Sequence, residues 1–319
     1  MNILVTGGCG FIGSNFIKLL YTEFPKAHVV NIDNLLYSAN PAYMDTFPHS
    51  STLIKRDIND LDHINQYDYI VNFAAESHVD NSIANADPFI KTNINGTYHL
   101  LKLLKHSGFN ARFVQVSTDE VYGSLSHGYA TEEFVLNPTS PYAASKAAAD
   151  HITMSFHKTF GIDTIITRSS NNYGPNQYKE KFIPAAINSL NSNCKATIYG
   201  RGLEQRQWIH VDDNCRGILF AMLYGRPGEV YNVTSDDPPI KIIDVFSRLA
   251  SIWSNSIMRI DNCMEKANFI KDPRPGHDFR YAIGSRKLKD LGWSPTTEFD
   301  KGFADTVNWY AKENKKSSA

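Results

Sequence analysis

The sequence contains few cysteines. Four occur among 319 residues, at positions 9, 194, 215 and 263, and none belongs to a C-x-x-C pair or to a Cys/His pattern with zinc spacing. The sequence therefore favours neither a disulfide framework nor a metal site. A chain of this length can bury a sizeable core without such links, so we expect the reducing environment of the cytoplasm.

Long apolar runs and a large excess of charge of one sign are also missing. No stretch approaches the roughly 18 apolar residues of a membrane span, and the first run, Ile3–Val5, is too short for a signal peptide. The 33 acidic and 32 basic side chains leave a net charge of −1. This balance argues against a polyanion-binding surface. We therefore expect neither a membrane nor a nucleic acid as partner.

Short apolar runs alternate with helical patterns through the first 170 residues. Strands whose residues are nearly all apolar are typical of a parallel sheet covered on both faces. The sequence therefore predicts an α/β fold, a Rossmann-type doubly wound parallel sheet. Its strands are predicted at Asn2–Thr6, His28–Ile32, Tyr69–Ala75, Arg112–Ser117 and Asp163–Arg168, and its two longest helices at Asn95–His106 and Ser140–His157.

The sequence pattern changes after Asn171, where loops rich in Pro, Gly and Asn separate shorter elements. Three helical patterns remain, near 182–191, 211–224 and 240–253. We interpret this part as a smaller α+β substrate-binding lobe interleaved with the first domain. The predicted division is a Rossmann domain over 1–175, to which the chain returns near 203–235, and a substrate lobe mainly over 176–319.

A glycine-rich segment, TGGCGFIG, follows the first predicted strand and opens a helix. It matches both Gly8-x-Gly10-x-x-Gly13 and Gly7-x-x-Gly10-x-x-Gly13, and Asp33 lies twenty residues beyond, at the end of the second strand. This context is typical of a dinucleotide fingerprint, in which glycines let the backbone approach a pyrophosphate. Asp33 would accept bonds from both ribose hydroxyls and repel a 2′-phosphate, which favours NAD over NADP.

Further cofactor contacts are predicted on either side of this fingerprint. Asp57 and Ile58 follow a third strand-like segment, where they could contact the adenine or form a surface turn. The predicted NAD-binding residues are Gly7, Gly10, Phe11, Ile12, Gly13, Asp33, Asp57, Ile58, Ala74, Ala75, Tyr142, Lys146 and Asn172.

Tyr142 and Lys146 are spaced i, i+4 and so share one helix face. A tyrosine with a pKa near 10 is a poor base at neutral pH. The lysine ammonium and a nicotinamide cation would stabilise its phenolate, and lowering the pKa by about three units needs roughly 4 kcal/mol. The phenolate could then take a hydroxyl proton while a hydride leaves to NAD.

Thr118-Asp119-Glu120 follows the predicted strand Arg112–Ser117 and precedes Tyr142 by some twenty residues. Two carboxylates at a strand end, upstream of a Tyr/Lys pair, suggest an acid and a base around one substrate. Simple alcohol oxidation does not require both. The pattern therefore indicates further proton transfers at the same site.

The chain resembles the extended short-chain dehydrogenase/reductase superfamily over nearly its full length, and this resemblance implies a sugar-nucleotide substrate. STDEVYG (117–123) is similar to the nucleoside-diphosphate-hexose 4,6-dehydratases, of which dTDP-glucose 4,6-dehydratase is the best known. The other segments that carry the resemblance are TGGCGFIG (6–13), Asp33, NFAAESHVDNS (72–82), TNINGT (92–97), YAASK (142–146), SNNYGP (170–175), EKFIP (180–184) and RPGHD (274–278).

The resemblance implies a sequence of proton transfers. Oxidation of C4 to a ketone acidifies C5–H, which Glu120 would remove, while Asp119 would protonate the departing C6 hydroxyl. The hydride then returns to C6, so there is no net redox change. Thr118 would bond the C4 oxygen beside Tyr142. The two carboxyl groups need opposite protonation states, which desolvation or a like-charged neighbour can provide.

The resemblance also implies the substrate contacts and the assembly. The substrate-binding residues implied are Ser77, Thr92, Thr118, Asn171, Glu180, Lys181, Arg206, Arg274 and His277. Arg206 would offer a planar fork to the diphosphate, and Arg274 with His277 would close over the nucleotide. The two long helices resemble the family's dimer interface, so a homodimer is expected.

The sequence departs from the family pattern at several positions. Gln207 stands where Asp is usual, Pro273 stands where Asp usually precedes the RPGH run, and an Asn after Tyr231-Asn232 has no clear equivalent. dTDP-glucose, UDP-glucose and UDP-N-acetylglucosamine therefore remain open as substrates. The alternatives are a 4-epimerase or decarboxylase that leaves Asp119 and Glu120 idle, and a non-catalytic NAD-sensing scaffold.

Overall fold

A computed structural model describes residues 1–47, 51–256 and 263–317. Its centre is a seven-stranded parallel sheet with the order β11-β6-β5-β4-β1-β2-β3. These strands are β1 (Asn2–Thr6), β2 (His28–Asp33), β3 (Ser51–Lys55), β4 (Tyr69–Asn72), β5 (Arg112–Thr118), β6 (Thr164–Ser169) and β11 (Glu229–Val233). The remaining strands form two-stranded pairs: β7 (Asn171–Tyr173) with β10 (Trp208–His210), β8 (Ala196–Tyr199) with β13 (Ala267–Ile270), and β9 (Gln205–Arg206) with β12 (Ile240–Lys241).

Helices cover both faces of the sheet. The α-helices are α1 (Phe11–Glu23), α2 (Val79–Ala84), α3 (Asp87–Phe89), α4 (Thr97–Ser107), α5 (Pro141–Phe160), α6 (Phe182–Asn191), α7 (Val211–Tyr224), α8 (Ile242–Ser256), α9 (Arg286–Asp290) and α10 (Phe299–Ser317). Short 3₁₀ turns span Pro41–Thr46, Ile58–Asp60, Asp119–Tyr122 and Cys263–Lys266.

The central strands are buried because apolar side chains face helices on both sides. On one face, α1 packs against β1, and α7 packs against β5, β6 and β11, through residues such as Phe16, Leu20 and Met222. The other face packs α4 and α5 through Leu101 and Phe156. Removing this surface from water is the main stabilising contribution to the layered structure. The predicted doubly wound parallel α/β fold is confirmed.

The smaller lobe has a core of its own. Ile187 of α6, Ile198 of β8, Phe246 and Trp253 of α8, and Phe303 of α10 pack together. The chain reaches this lobe after β7, returns to the main sheet with α7 and β11, and leaves it again. The division at residues 175 and 176 stays a prediction.

Two of the differences between the predicted elements and the structure bear on the site. β4 ends at Asn72, three residues before the predicted end, because after Phe73 the backbone turns to pass Gly7 closely. The predicted helix at Asn95–His106 belongs to a longer one in which a π-helical segment, Ile90–Gly96, joins α3 to α4. Such segments are frequent at functional sites, and this one carries Thr92.

Among the described residues, no helix combines the length and the apolar character needed to cross a membrane.

Candidate active site

One cleft lies at the carboxyl ends of the central strands, where open α/β sheets bind their ligands. It is lined by all the predicted NAD-binding residues and all five predicted catalytic residues. Six of the predicted substrate residues also line it: Ser77, Thr92, Thr118, Asn171, Glu180 and Lys181.

The glycine-rich loop passes the floor of the cleft without side chains. Gly7 has a φ of +70°, and a Cβ there would lie 2.7 Å from the backbone nitrogen of Ala74. A Cβ on Gly13 would lie 2.4 Å from the carbonyl oxygen of Gly7. Only glycine fits both positions, which leaves the N-terminal amides of α1 free to face a pyrophosphate.

Asp33 joins the end of β2 to the glycine-rich loop. Its Oδ2 accepts from the Cys9 amide at 2.9 Å, and its Oδ1 accepts from the Leu35 amide at 2.8 Å. Burial raises the pKa of Asp33, while these two bonds oppose the rise. The carboxylate is therefore held in one orientation at the edge of the cleft, where it fits the ribose hydroxyls of NAD.

Asp57 and Ile58 complete this end of the cleft. Asp57 caps a 3₁₀ turn through the Asn59 amide at 2.9 Å and lies 3.0 Å from Lys91. Despite partial burial, these partners lower the pKa of Asp57. Ile58 is buried against Gly96, where a Cβ would meet its Cδ1 at 2.4 Å.

Buried polar atoms without a partner converge on the other end of the cleft. Within the described part of the chain these include Ser117 Oγ, Asp119 Oδ2, Asn171 Oδ1 and Asn172 Oδ1. All four residues line the cleft. Buried polar atoms are nearly always satisfied, so this cluster indicates a polar ligand. The residues around the cleft fit a dinucleotide at one end and a hydroxyl-rich group at the other.

The acid–base turn, Asp119–Tyr122, begins where β5 ends. Thr118 caps it: its Oγ1 accepts from the Glu120 amide at 3.3 Å and lies 3.2 Å from Asp119 Oδ1. Because the backbone leaves the strand at this point, Asp119 and Glu120 do not alternate between opposite faces of the sheet. Both side chains line the cleft.

The two carboxyl groups of the turn have different surroundings. Burial, followed by the charge of Glu120, raises the pKa of Asp119 to about 8. Burial also raises the pKa of Glu120, but the cations Arg206, Lys181 and Arg274 oppose the rise. Asp119 therefore keeps its proton near neutral pH, whereas Glu120 has three cations around it that favour its charged form.

Tyr142 and Lys146 lie on the first turns of α5, which Ser140 caps by accepting from the Ala143 amide at 3.1 Å. Lys146 Nζ donates to the carbonyl oxygen of Val116 at 2.6 Å, and burial lowers its pKa to about 8. Burial and the charge of Glu120 raise the pKa of Tyr142. The surrounding side chains alone therefore do not produce the lowered tyrosine pKa that the sequence predicts.

The smaller lobe contacts the opposite side of the cleft through Lys181. Lys181 Nζ donates to the carbonyl oxygen of Ser77 at 2.7 Å, so this lysine spans the gap between the lobes. Burial lowers its pKa, while Glu120 and Glu180 oppose the decrease. Asn172 Nδ2 donates to the Ser170 carbonyl oxygen at 3.0 Å, which orients its free oxygen.

The three remaining predicted substrate residues lie outside the main cleft. Arg274 and His277 line a second cavity together with Thr139–Pro141. The Nη atoms of Arg206 donate to the carbonyl oxygens of Gln205, Asp278 and Phe279 and lie 2.8 Å from His277 Nε2. Burial and the neighbouring Arg274 lower the pKa of His277 to about 3, so the ring is neutral.

Arg274 is bonded to its own loop. Its Nε and Nη2 both donate to Asp272 at 2.8 Å, and its guanidinium lies 4.6 Å from the ring centroid of Tyr199. The structure therefore places Arg206 and Arg274 beside the site, in contact with protein groups rather than pointing into the main cleft.

The departure at Gln207 has a structural explanation. Its Nε2 donates to the carbonyl oxygens of Ser235 and Asp237, both at 3.1 Å, and its Oε1 accepts from the Ile283 amide at 3.0 Å. The side chain thus joins three loops and does not line the cleft. An aspartate could not donate the first two bonds.

Sequence reasoning did not single out several residues that line the cleft. Glu76 lies between the predicted Ala75 and Ser77, and its raised pKa reflects burial. Gln177 and Tyr178 come from the loop after β7, and Leu36 with Ala39 from the loop after Asp33. Proximity in sequence to predicted residues was the available signal for Glu76, Leu36 and Ala39.

Comparison with known proteins follows this geometry. A family model described as GDP-mannose 4,6 dehydratase matches residues 4–306. A relative from Sinorhizobium fredii named "Probable dTDP-glucose 4,6-dehydratase" is 40% identical, over 97% of this chain and 93% of its own length. A dTDP-glucose 4,6-dehydratase from Haemophilus influenzae is 41% identical, over 97% of this chain and 98% of its own.

Solved structures agree with this grouping. The dTDP-glucose 4,6-dehydratase of Streptomyces venezuelae, with NAD and TYD bound, superposes with a TM-score of 0.91 at 39% identity, covering 99% of this chain and 98% of that one. The UDP-glucuronic acid 4-epimerase of Bacillus cereus, in complex with UDP-glucuronic acid and NAD, has a TM-score of 0.88 at 28% identity, covering 98% and 100%. The chain belongs to the GDP-mannose 4,6 dehydratase family, within the extended short-chain dehydrogenase/reductases.

Proposed function

We propose that this protein is an NAD-dependent nucleoside-diphosphate-hexose 4,6-dehydratase whose substrate is dTDP-glucose. The observation that carries the proposal is the adjacent pair Asp119 and Glu120, which line the same cleft as Tyr142 and Lys146. Burial and Glu120 raise the pKa of Asp119 to about 8, and three cations favour the charged form of Glu120. The names of the relatives at about 40% identity support both the reaction and the substrate.

The first step is oxidation at C4. NAD supplies the hydride acceptor for C4, the donor for C6 and a positive charge beside Tyr142. Tyr142 takes the hydroxyl proton, and Thr118 bonds the same oxygen. Because burial and Glu120 raise the pKa of Tyr142, a positive charge is needed to offset them. Lys146, held by the Val116 carbonyl oxygen, lies one helical turn from Tyr142 and contributes to that charge.

The second step is loss of water between C5 and C6. Glu120 removes the C5 proton, which the C4 ketone has made acidic, and Asp119 donates a proton to the departing C6 hydroxyl. Glu120 then returns a proton to C5. Asp119, with its pKa raised to about 8, holds the proton that this step requires.

A 4-epimerase or decarboxylase is disfavoured because it would leave Asp119 and Glu120 without a role. Two adjacent carboxyl groups in a poorly hydrated cleft destabilise the folded state, and the elimination step gives both of them a function. The epimerase from Bacillus cereus shares the fold at 28% identity, well below the identity of the dehydratases. Fold alone does not separate the two reactions, whereas the Asp119-Glu120 pair does.

The choice of dTDP-glucose over UDP-glucose and UDP-N-acetylglucosamine rests on the names of the relatives. Gln207 joins loops and does not line the cleft, so its departure from the family pattern does not argue against this choice. We place the nucleotide in the second cavity, next to Arg274 and His277. On this assignment, Arg206 and Arg274 exchange protein contacts for the diphosphate when substrate binds.

The proposed assembly is a cytoplasmic homodimer formed through α4 and α5. Large apolar side chains are exposed along these helices and the preceding segment, namely Ile90, Tyr98 and Phe160, each close to half exposed. Neighbouring exposed apolar residues are typical of a protein interface. Sedimentation velocity at micromolar concentration should show a dimer, and a monomer alone would contradict this assignment.

The activity is tested with three substrates in parallel. The protein and NAD are incubated with dTDP-glucose, UDP-glucose or UDP-N-acetylglucosamine, and product mass is followed. We expect dTDP-glucose to give a product lighter by one water, and C4-deuterated substrate to deliver the label to C6. A product of unchanged mass would indicate an epimerase, and dehydration of a UDP-sugar alone would refute the substrate assignment.

A further inference from the structure

A buried polar network lies beneath the acid–base turn, level with Ser117, the residue that precedes Thr118 in β5. Its members are Asp150 on α5, Arg168 on β6, Asn232 on β11 and Tyr122, the last residue of the turn. Each is at most 5% exposed. Arg168 and Asn232 are direct partners across β6 and β11, and Ser117 pairs with Arg168 on the other side.

Three hydrogen bonds connect the network. The Tyr122 hydroxyl donates to Asn232 Oδ1 at 2.8 Å and accepts from Arg168 Nη1 at 2.9 Å. Arg168 Nε donates to Asp150 Oδ2 at 2.9 Å. Burial raises the pKa of Tyr122 to about 12, so its hydroxyl keeps its proton at neutral pH and these bonds persist.

The network joins the two halves of the catalytic machinery. Asp150 lies two helical turns after Tyr142 and one after Lys146, on the same face of α5. Tyr122 ends the turn that carries Asp119 and Glu120. The beginning of the turn is held by the pairing of β5 with β6, where Thr118 faces Ser169. Its other end is held by the Tyr122 side chain and by the Asn137 amide, which donates to the Val121 carbonyl oxygen at 3.0 Å.

We propose that Tyr122 is a positioning residue for the elimination step. Through its bonds to Arg168 and Asn232, Tyr122 holds Asp119 and Glu120 in position relative to Tyr142. This inference rests on the proposed 4,6-dehydratase activity. Without the Tyr122 hydroxyl, Arg168 and Asn232 each lose a buried partner, and the end of the turn loses its hydrogen-bonded connection to Asp150 on α5. A displacement of about 1 Å at reacting groups slows a step by about 10²-fold. C4 oxidation, which uses Tyr142 and Lys146 on α5, is largely spared.

The test compares Tyr122→Phe with a matched control, Tyr21→Phe. Tyr21 is also buried, lies on α1, and its hydroxyl has no partner among the described residues. Both variants and the wild type are mixed with NAD and dTDP-glucose in single turnovers, and reduced nicotinamide and product are followed separately. For Tyr122→Phe we expect C4 oxidation within about threefold of wild type and elimination slowed by about 10- to 100-fold, so that reduced nicotinamide accumulates. Tyr21→Phe should change neither rate.

Arg168→Lys provides a second variant that keeps the positive charge beside Asp150. A single ammonium group cannot reproduce the fork that bonds both Asp150 and Tyr122, so the same separation of rates is expected. In both variants, water admitted around Asp119 should lower its pKa, and the decline of elimination at alkaline pH should move to lower pH.

The possible outcomes distinguish the positioning role of Tyr122 from the proposed function on which it rests. Equal slowing of oxidation and elimination in folded variants, or unchanged rates, would overturn the positioning role. An alkaline decline at the wild-type pH would also count against it. If Tyr122→Phe does not fold, Arg168→Lys decides the question by the same two measurements, namely the separation of the oxidation and elimination rates and the pH of the alkaline decline. Failure of the wild type to release water from any of the three substrates would instead refute the proposed function.

Discussion

Glu120 directly follows Asp119, and its negative charge is, after burial, the main cause that raises the pKa of Asp119 to about 8. Burial also raises the pKa of Glu120, but the charges of Arg206 and Lys181 oppose this rise. The two neighbouring carboxyl groups thus have different electrostatic surroundings. Pairs of this kind identify the acid and the base of a reaction.

The first prediction concerns the pH dependence of elimination. Asp119 must be protonated to act as an acid, so the elimination rate should fall as pH rises through the pKa of Asp119, at about 8. The measurement is product formation in single turnovers across a pH series. A rate that continues to rise above this pH would show that Asp119 is not the acid.

The second prediction concerns stability. In the folded protein the pKa of Asp119 lies above its unfolded value, so the folded state holds the proton more tightly and wild-type stability falls as pH rises from about 4 to about 8. Asparagine cannot ionise. Asp119→Asn should therefore be more stable than wild type by about 1–2 kcal/mol at pH 8 while its elimination is impaired.

Urea unfolding of both proteins at the two ends of this pH range checks the stability prediction. The difference between them should shrink toward the acidic end, where Asp119 is protonated in both folded and unfolded states. A wild type that is the more stable protein at alkaline pH would contradict the assignment of a buried, proton-holding Asp119.

The third prediction separates the base from the redox step. Glu120→Gln cannot remove the C5 proton, so elimination should slow by about 10²- to 10⁴-fold, whereas formation of reduced nicotinamide should persist. Solvent deuterium should no longer enter C5. The control is Glu133→Gln, at an exposed glutamate that does not line the cleft. Full turnover by Glu120→Gln would refute the role of this residue.

The fourth prediction concerns the cofactor. Asp33→Ser removes the charge that repels a 2′-phosphate, so the preference for NAD over NADP should weaken. It also removes the bonds to the Cys9 and Leu35 amides, so NAD itself should bind about tenfold or more weakly, a loss of about 1.4 kcal/mol. Titration with both dinucleotides measures the change, with exposed Asp60→Ser as control. An unaltered ratio of affinities would show that Asp33 does not select the cofactor.

Several features of the site followed from local patterns. The glycines of residues 7–13 and Asp33 are tied to the ends of β1 and β2, and short-range sterics fix their geometry. Tyr142 and Lys146 share a helix face because of their spacing alone. The pKa of Tyr142 does not follow from this spacing, because burial and the charges of Glu120 and Asp119, which lie on another element, raise it.

Other features depend on which distant segments meet. Arg206 is flanked by residues 277–279 and Gln207 joins three loops, so neither points into the main cleft as its motif suggests. The same is true of the network of Tyr122, Asp150, Arg168 and Asn232, whose members are spread over more than a hundred residues.

Alternating apolar runs and the glycine fingerprint were enough to establish the doubly wound sheet and its nucleotide end, because periodicity and backbone sterics act over a few residues. The protonation of Asp119 and Glu120 was decided only by tertiary structure. Desolvation and the charges of Arg206, Lys181 and Arg274 reach the pair from segments far away in the chain. Folding brings these groups together, so that Asp119 keeps its proton near neutral pH and Glu120 lies among cations that favour its charged form.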